Sequence, residues 1–223
     1  MKKLYTINTN EAEVFLDVIY NPFLAPFKEE NPDIEVKNII DDSLLNDTRL
    51  YNGMTTPIAN RMLNYAKAAE GSGADGVLVT CTSVNKATEI IRPLLSIPIL
   101  NIEEPVAEMA VACGTRIGVL ATVPTSPSAI IEVIEKKAAA AGKGINIVTR
   151  VADGAFDVLK SGNRAMHDEM VSAALYMLAK EVDCVVFAQI SMSMLKYDES
   201  KVGVPVLKIG PSGFERMKEL MGV

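Results

Sequence analysis

Apolar and polar positions along this chain follow two alternating rhythms. Short apolar runs rich in Val, Ile and Leu recur between longer stretches whose apolar residues return every three or four positions, the pattern of strands alternating with amphipathic helices. The short runs predict eight strands, at 4–8, 34–40, 76–81, 98–102, 116–121, 145–151, 184–188 and 204–209. Helix boundaries are marked by proline at the start and glycine past the end, because a first-turn residue needs no N–H donor and a terminal residue often turns left-handed. Thr56-Pro57 opens a helix that Gly71 closes, and Ser126-Pro127 opens one that Gly142 closes. Glu104-Pro105 begins another that ends near Gly114, and Ser212 is the expected cap of the last.

The layout also repeats. The strand starting at Ile34 is matched at Ile145, an offset of 111, and the strand end at Cys81 is matched at Gln189, an offset of 108. The run Ser96-Ile97-Pro98-Ile99-Leu100 is matched by Gly203-Val204-Pro205-Val206-Leu207, an offset of 107. Four strands in the same order, sharing a proline-centred signature, point to a duplicated unit. The predicted fold is therefore α/β with two pseudosymmetric lobes, each a parallel-rich four-stranded sheet flanked by helices. Lobe one is expected over 1–102 and lobe two over 103–223, with the C-terminal helix 212–223 free to rejoin lobe one. In such a fold the active site is expected in an inter-lobe cleft, at the carboxyl ends of the strands.

Composition narrows the function classes. The chain has 223 residues, a net charge of -6 and no basic run interleaved with aromatics, which argues against nucleic acid and anionic membrane as partners. The start, Met1-Lys2-Lys3, is followed by a stretch broken at Thr6, Asn8 and Asn10, so no secretory signal is expected, and no apolar run is long enough to cross a bilayer. Cys81, Cys113 and Cys184 form no metal-like spacing, and one histidine cannot complete a conventional zinc site. A reduced, cytoplasmic setting without a metal or cofactor is the expectation.

One motif invites a wrong assignment. Gly71-Ser72-Gly73-Ala74-Asp75-Gly76 spells a dinucleotide-binding fingerprint, but it ends a helix and precedes a strand, the reverse of what pyrophosphate binding requires. The stronger signal is Gly76-Val77-Leu78-Val79-Thr80-Cys81-Thr82-Ser83, a buried strand that delivers a cysteine to its carboxyl end. With Thr82 or Ser83 capping a helix there, the dipole is expected to lower the thiol pKa, and the N–H and hydroxyl groups to receive a carboxylate. A small apolar residue ending a strand is the plainer alternative for Cys81.

The run Thr80-Cys81-Thr82-Ser83 resembles the first cysteine motif of the aspartate/glutamate/hydantoin racemase superfamily. The resemblance continues through Ile99-Leu100-Asn101-Ile102-Glu103-Glu104-Pro105, Arg116 to Thr125, Met166-His167-Asp168, and Val185-Val186-Phe187-Ala188-Gln189-Ile190-Ser191-Met192. It implies a cofactor-independent enzyme acting at the carbon next to a carboxylate, working as a homodimer, in which a cysteine from each lobe faces one side of that carbon. On that pattern Cys81 is one acid/base or nucleophile, Thr82 and Ser83 bind the carboxylate, and Asn8, Thr122 and Thr125 line the cleft. The second cysteine position holds Gln189, with Ser191 just after it, and an amide is neither acid nor base near neutral pH. Cys184, at the start of its strand, is no substitute; both it and Cys113 are read as packing residues.

With one thiol, three readings stay open: a racemase or isomerase, a lyase resembling the single-cysteine arylmalonate decarboxylase, and a binding protein for small carboxylates. Relatives similar to maleate isomerase use the thiol as a nucleophile on an alkene. His167, beside Asp168 on a first helical turn, is a candidate partner for Cys81 or a plain surface or supporting residue. Asp41, Asp42 and Asp47 are read as a solvated loop, Tyr51 and Asn52 as a possible lid by loop position, and Met192 and Met194 as packing.

Overall fold

The computed structural model describes residues 1–51, 53–124 and 126–223. Two compact units emerge: Met1–Glu103 with Gly210–Val223, and Glu104–Ile209. Thr125 and Asn52 lie outside the described residues.

In the first unit the chain runs β1 (Lys2–Asn8), α1 (Ala12–Phe15), a wide π-type segment (Leu16–Leu24) and α2 (Ala25–Glu30). It continues through β2 (Ile34–Ile40), α3 (Leu44–Leu50), α4 (Thr56–Gly71), β3 (Gly76–Val79), α5 (Asn85–Ile91) and β4 (Ile99–Asn101). The second unit holds α6 (Glu104–Cys113), β5 (Arg116–Ala121), α7 (Pro127–Ala140), β6 (Asn146–Val151), α8 (Ala155–Lys160), α9 (Arg164–Leu178), β7 (Cys184–Phe187) and β8 (Val206–Leu207). The last helix, α10 (Pro211–Met221), packs with the first unit.

Each unit has one parallel four-stranded sheet, ordered β2-β1-β3-β4 in the first and β6-β5-β7-β8 in the second. The shared topology makes the duplication physical. One row across the first sheet is Asn38, Thr6, Leu78, Leu100, and its counterpart in the second is Thr149, Val119, Val186, Leu207. The spacings between counterparts along β2, β3 and β4 are the 111, 108 and 107 of the sequence repeat. The central strands β3 and β7 are buried along their whole length, as expected of parallel strands covered on both faces. At roughly 1.5–3 kcal/mol per fully buried large aliphatic side chain, Val77, Leu78 and Val79 anchor the first core.

Strand β1 looks too polar for a central position, yet Thr6 and Asn8 are fully buried. Their polar groups satisfy one another: Thr80 donates to Asn8 Oδ1, Asn8 Nδ2 donates to Thr6 Oγ1 at 3.1 Å, and Thr6 donates to Asn38 Oδ1 at 2.6 Å. A buried polar row of this kind costs little because every member is bonded.

The C-terminal helix begins one residue before the expected Ser212 cap. Pro211 takes the first helical position and Gly210, at φ +132°, precedes it. Close approach explains two glycines under this helix. A Cβ on Gly213 would lie 2.9 Å from the Ile102 carbonyl oxygen, and one on Gly76 would lie 2.6 Å from the Met217 sulfur. Strand β8 is two residues long, shorter than the 204–209 run predicts. No helix among the described residues is long and apolar enough to cross a membrane.

Candidate functional site

In the first unit, the carboxyl ends of three strands converge. The parallel register pairs Ile7 with Val79 and Val79 with Asn101. Two residues further along each chain come Thr9, Cys81 and Glu103. The ladder is still closing just before them, through Thr80 N–H to Ile7 O at 3.1 Å and Ile102 N–H to Val79 O at 3.0 Å. Cys81 itself is extended, at φ -132° and ψ 123°, and leads into a 3-10 turn over Thr82–Val84.

The Cys81 thiol is buried, with the residue 8% exposed. Burial is the largest influence on it and pushes its pKa up; the Thr9 hydroxyl and the Ser83 N–H and hydroxyl pull down, and the charge of Glu103 pushes up again. The net direction is upward, which corrects the expectation of a dipole-lowered thiolate. A 3-10 turn followed by the seven-residue α5 supplies little dipole, and desolvation of the sulfur outweighs it. Thr82 is half-buried and Ser83 exposed. Thr9 Oγ1 is fully buried and has no hydrogen-bond partner at normal distance among the described residues.

Two of these residues were not picked out by sequence reasoning. The register makes Thr9, and not Asn8, the counterpart of Thr122, since Thr9 lies two residues past Ile7 and Thr122 two past Leu120. Side chains alternate faces along a strand, so a one-residue slip selects the wrong face. Asn8 is committed to Thr6 and Thr80. Glu103, fully buried, stands in the quoted Asn101-Ile102-Glu103 run, but only the β3–β4 pairing brings it to Cys81. Aligning the residues two past each strand end was the available signal.

The second unit repeats the frame with different chemistry. Gln189 has the backbone of Cys81, at φ -136° and ψ 139°, and leads into a 3-10 turn over Ile190–Met194 that holds Ser191. Its Oε1 accepts the Thr122 N–H at 3.0 Å and the Thr122 hydroxyl at 2.9 Å. A backbone N–H can only donate, so the side-chain atom facing it must be the oxygen, and Nε2 keeps its hydrogens for another acceptor.

His167 is buried in the first turn of α9, with Nδ1 2.8 Å from Asp168 Oδ1. Asn163 caps this helix by accepting the Met166 N–H at 3.1 Å. The placement rules out a surface histidine and gives an oriented His–Asp pair. Asp168 lines an open hollow of about 560 Å³ shared with Tyr176, Lys196 and Asp198.

Of the three aspartates after β2, Asp42 is exposed as expected, but Asp41 and Asp47 are half-buried and paired. Arg61 reaches Asp47 at 2.5 Å and also bonds Asp41, while Tyr65 donates to Asp41 at 2.6 Å. This clamp ties the start of α3 to α4, and α3 packs against the turn that follows Cys81. Tyr51 is 61% exposed. Among the described residues, no group of three or more His, Cys, Asp or Glu side chains is arranged to hold a metal ion.

Comparisons with known proteins agree with this fold. The Asp/Glu/hydantoin racemase family model matches residues 51–217. The structure is similar to that of an aspartate racemase homologue from Pyrococcus horikoshii OT3, with a TM-score of 0.72 and 17% identity, covering 100% of both chains. It is also similar to an allantoin racemase from Klebsiella pneumoniae, with a TM-score of 0.70 and 15% identity over 100% of this chain and 88% of that one. An aspartate racemase from Picrophilus torridus gives a TM-score of 0.68 at 16% identity, over 100% and 95%. At such identities the structural likeness is one of fold, while the match over residues 51–217 carries the assignment: the chain belongs to the Asp/Glu/hydantoin racemase family and is a racemase-like isomerase.

Proposed function

We propose that this protein is a cofactor-independent isomerase or racemase of small carboxylate-bearing substrates, acting at the carbon next to the carboxylate with Cys81 as its acid/base. The observation that carries the reading is the thiol at the end of β3, flanked by the Thr9 hydroxyl and the Ser83 N–H and hydroxyl. The Thr9 hydroxyl is fully buried beside the thiol and makes no normal-length hydrogen bond, so a substrate oxygen would complete its bonding. When a proton leaves the carbon, negative charge moves onto the carboxylate oxygens, and donors fixed beside them stabilise that enediolate more than the ground state. Inversion requires a second acid, water or a side chain, that protonates the opposite face while the abstracted proton stays on Cys81.

The raised thiol pKa gives Cys81 a definite starting state in the free protein. It is a protonated thiol at neutral pH, ready to donate, and must lose its proton before it serves as a base. This state, together with Gln189, neither acid nor base, at the position matching Cys81, favours one further reading, a lyase in which decarboxylation forms the enediolate and Cys81 protonates it from one side.

Replacing Cys81 with alanine is expected to abolish turnover across a panel of amino acids, hydroxy acids and cyclic amides while leaving the circular dichroism spectrum intact. Full retained activity would overturn the role of Cys81. Reaction in heavy water separates the two chemistries: racemisation places deuterium on the α-carbon of substrate and product, whereas decarboxylation releases carbon dioxide and labels the product alone.

A further inference from the structure

The two cysteines outside this site stand next to each other in the second unit. Cys113 ends α6 and is exposed; Cys184 opens β7 and is fully buried. Their contacts are reciprocal. The Cys113 thiol lies 3.7 Å from the carbonyl oxygen of Asp183, the residue immediately before Cys184. The Cys184 thiol lies 4.0 Å from the carbonyl oxygen of Ala110, one helical turn before Cys113. Each thiol thus sits against the backbone beside the other.

The backbones beneath them are pinned close together. A Cβ on Gly114 would fall 2.2 Å from the Asp183 Cβ, so only glycine permits the approach. Asp183 then fastens the crossing by accepting the Thr115 N–H at 2.7 Å and the Arg116 N–H at 2.8 Å. A disulfide needs Cα atoms roughly 4.4–6.8 Å apart with side chains turned toward each other. The close crossing of these two segments sets the cysteines side by side, the arrangement such a link requires.

We propose that Cys113 and Cys184 form a redox-modifiable dithiol that a small-molecule disulfide, such as oxidised glutathione, converts into an internal disulfide. Cys113 is the entry point, since it alone of the pair faces solvent. Its thiol loses a proton, and the thiolate attacks one sulfur of the small disulfide, forming a mixed disulfide and expelling one small thiolate. Cys184 then loses its proton and attacks the Cys113 sulfur, breaking the mixed disulfide and expelling the second small thiolate. Two electrons pass from the protein pair to the small disulfide, and the two protons end on the two small thiols.

The environment makes the second step the slower one. Burial pushes the Cys184 thiol up to about 12, with Cys113 and the charge of Asp183 adding to it and Lys143 opposing. The mixed disulfide on Cys113 therefore has time to accumulate, and its resolution quickens as pH rises.

The test incubates the full chain with graded ratios of reduced and oxidised glutathione, quenches with acid and an alkylating reagent, and maps peptides by mass spectrometry. The expected product is a linked Cys113–Cys184 peptide pair, lighter by two hydrogen atoms and reversed by dithiothreitol, with free thiols falling from three to one. Cys184→Ser is expected to stop at a glutathione adduct on Cys113, and Cys81→Ser to keep the internal link. A wild-type chain that yields only the Cys113 adduct, or only links between chains, at every ratio would overturn the proposal. The wild-type peptide map needs no variant to fold.

Discussion

The clamp after β2 gives the most quantitative prediction. Burial alone pushes the Asp41 carboxyl up, but hydrogen bonds from Tyr65, Ser43 and Arg61 outweigh it and hold the pKa at about 2, against an ordinary 3.8. That gap corresponds to roughly 2.4 kcal/mol of folding free energy. The Arg61 side chain is 31% exposed, so screening lowers the expected contribution to about 1–2 kcal/mol. Because the folded pKa is depressed, the contribution is complete above the unfolded value and lost as pH falls through the folded one. It should be whole at pH 7, about half gone near pH 3 and nearly absent by pH 2. Asp41→Asn removes the charge while keeping the shape. Urea unfolding of parent and variant at pH 7 and near pH 2 measures the difference at each end. A loss of about 1–2 kcal/mol at pH 7 that shrinks toward zero at low pH is expected. Equal stabilities at pH 7, or a gap that does not change with pH, would refute the reasoning.

Two further perturbations probe the packing and the thiol. Gly213→Ala should cost about 1–3 kcal/mol, because the new methyl meets the Ile102 backbone, whereas Gly71→Ala, with open space around it in α4, should gain up to about 1 kcal/mol; paired denaturation curves that fail to separate the two would count against the close approach of α10. Glu103→Gln removes a charge that pushes the Cys81 thiol up, so the pH profile of iodoacetamide alkylation at Cys81 should move to lower pH, and an unmoved profile would mean that Glu103 does not act on the sulfur.

Some of this protein was legible in one dimension. Strand positions, parallel pairing and the duplication depend on local periodicity and on turn residues such as Pro57, Pro127 and Gly142, which neighbours along the chain largely dictate. The equivalence of Cys81 and Gln189 followed from the same repeat, and their matching backbone angles express it. The sequence by itself therefore determined the architecture and which residue type stands at each strand end. Sheet order decided the rest. Placing β1 between β2 and β3 brings Thr9 to Cys81, and placing β4 beside β3 brings Glu103 there, although neither is near Cys81 in sequence. The same kind of meeting turned Asp41 and Asp47 into a clamp on Arg61 and set two apparent packing cysteines side by side. The direction of the Cys81 pKa belongs to this class as well. Desolvation depends on every segment that covers the sulfur, and that sum exists only once the chain has folded.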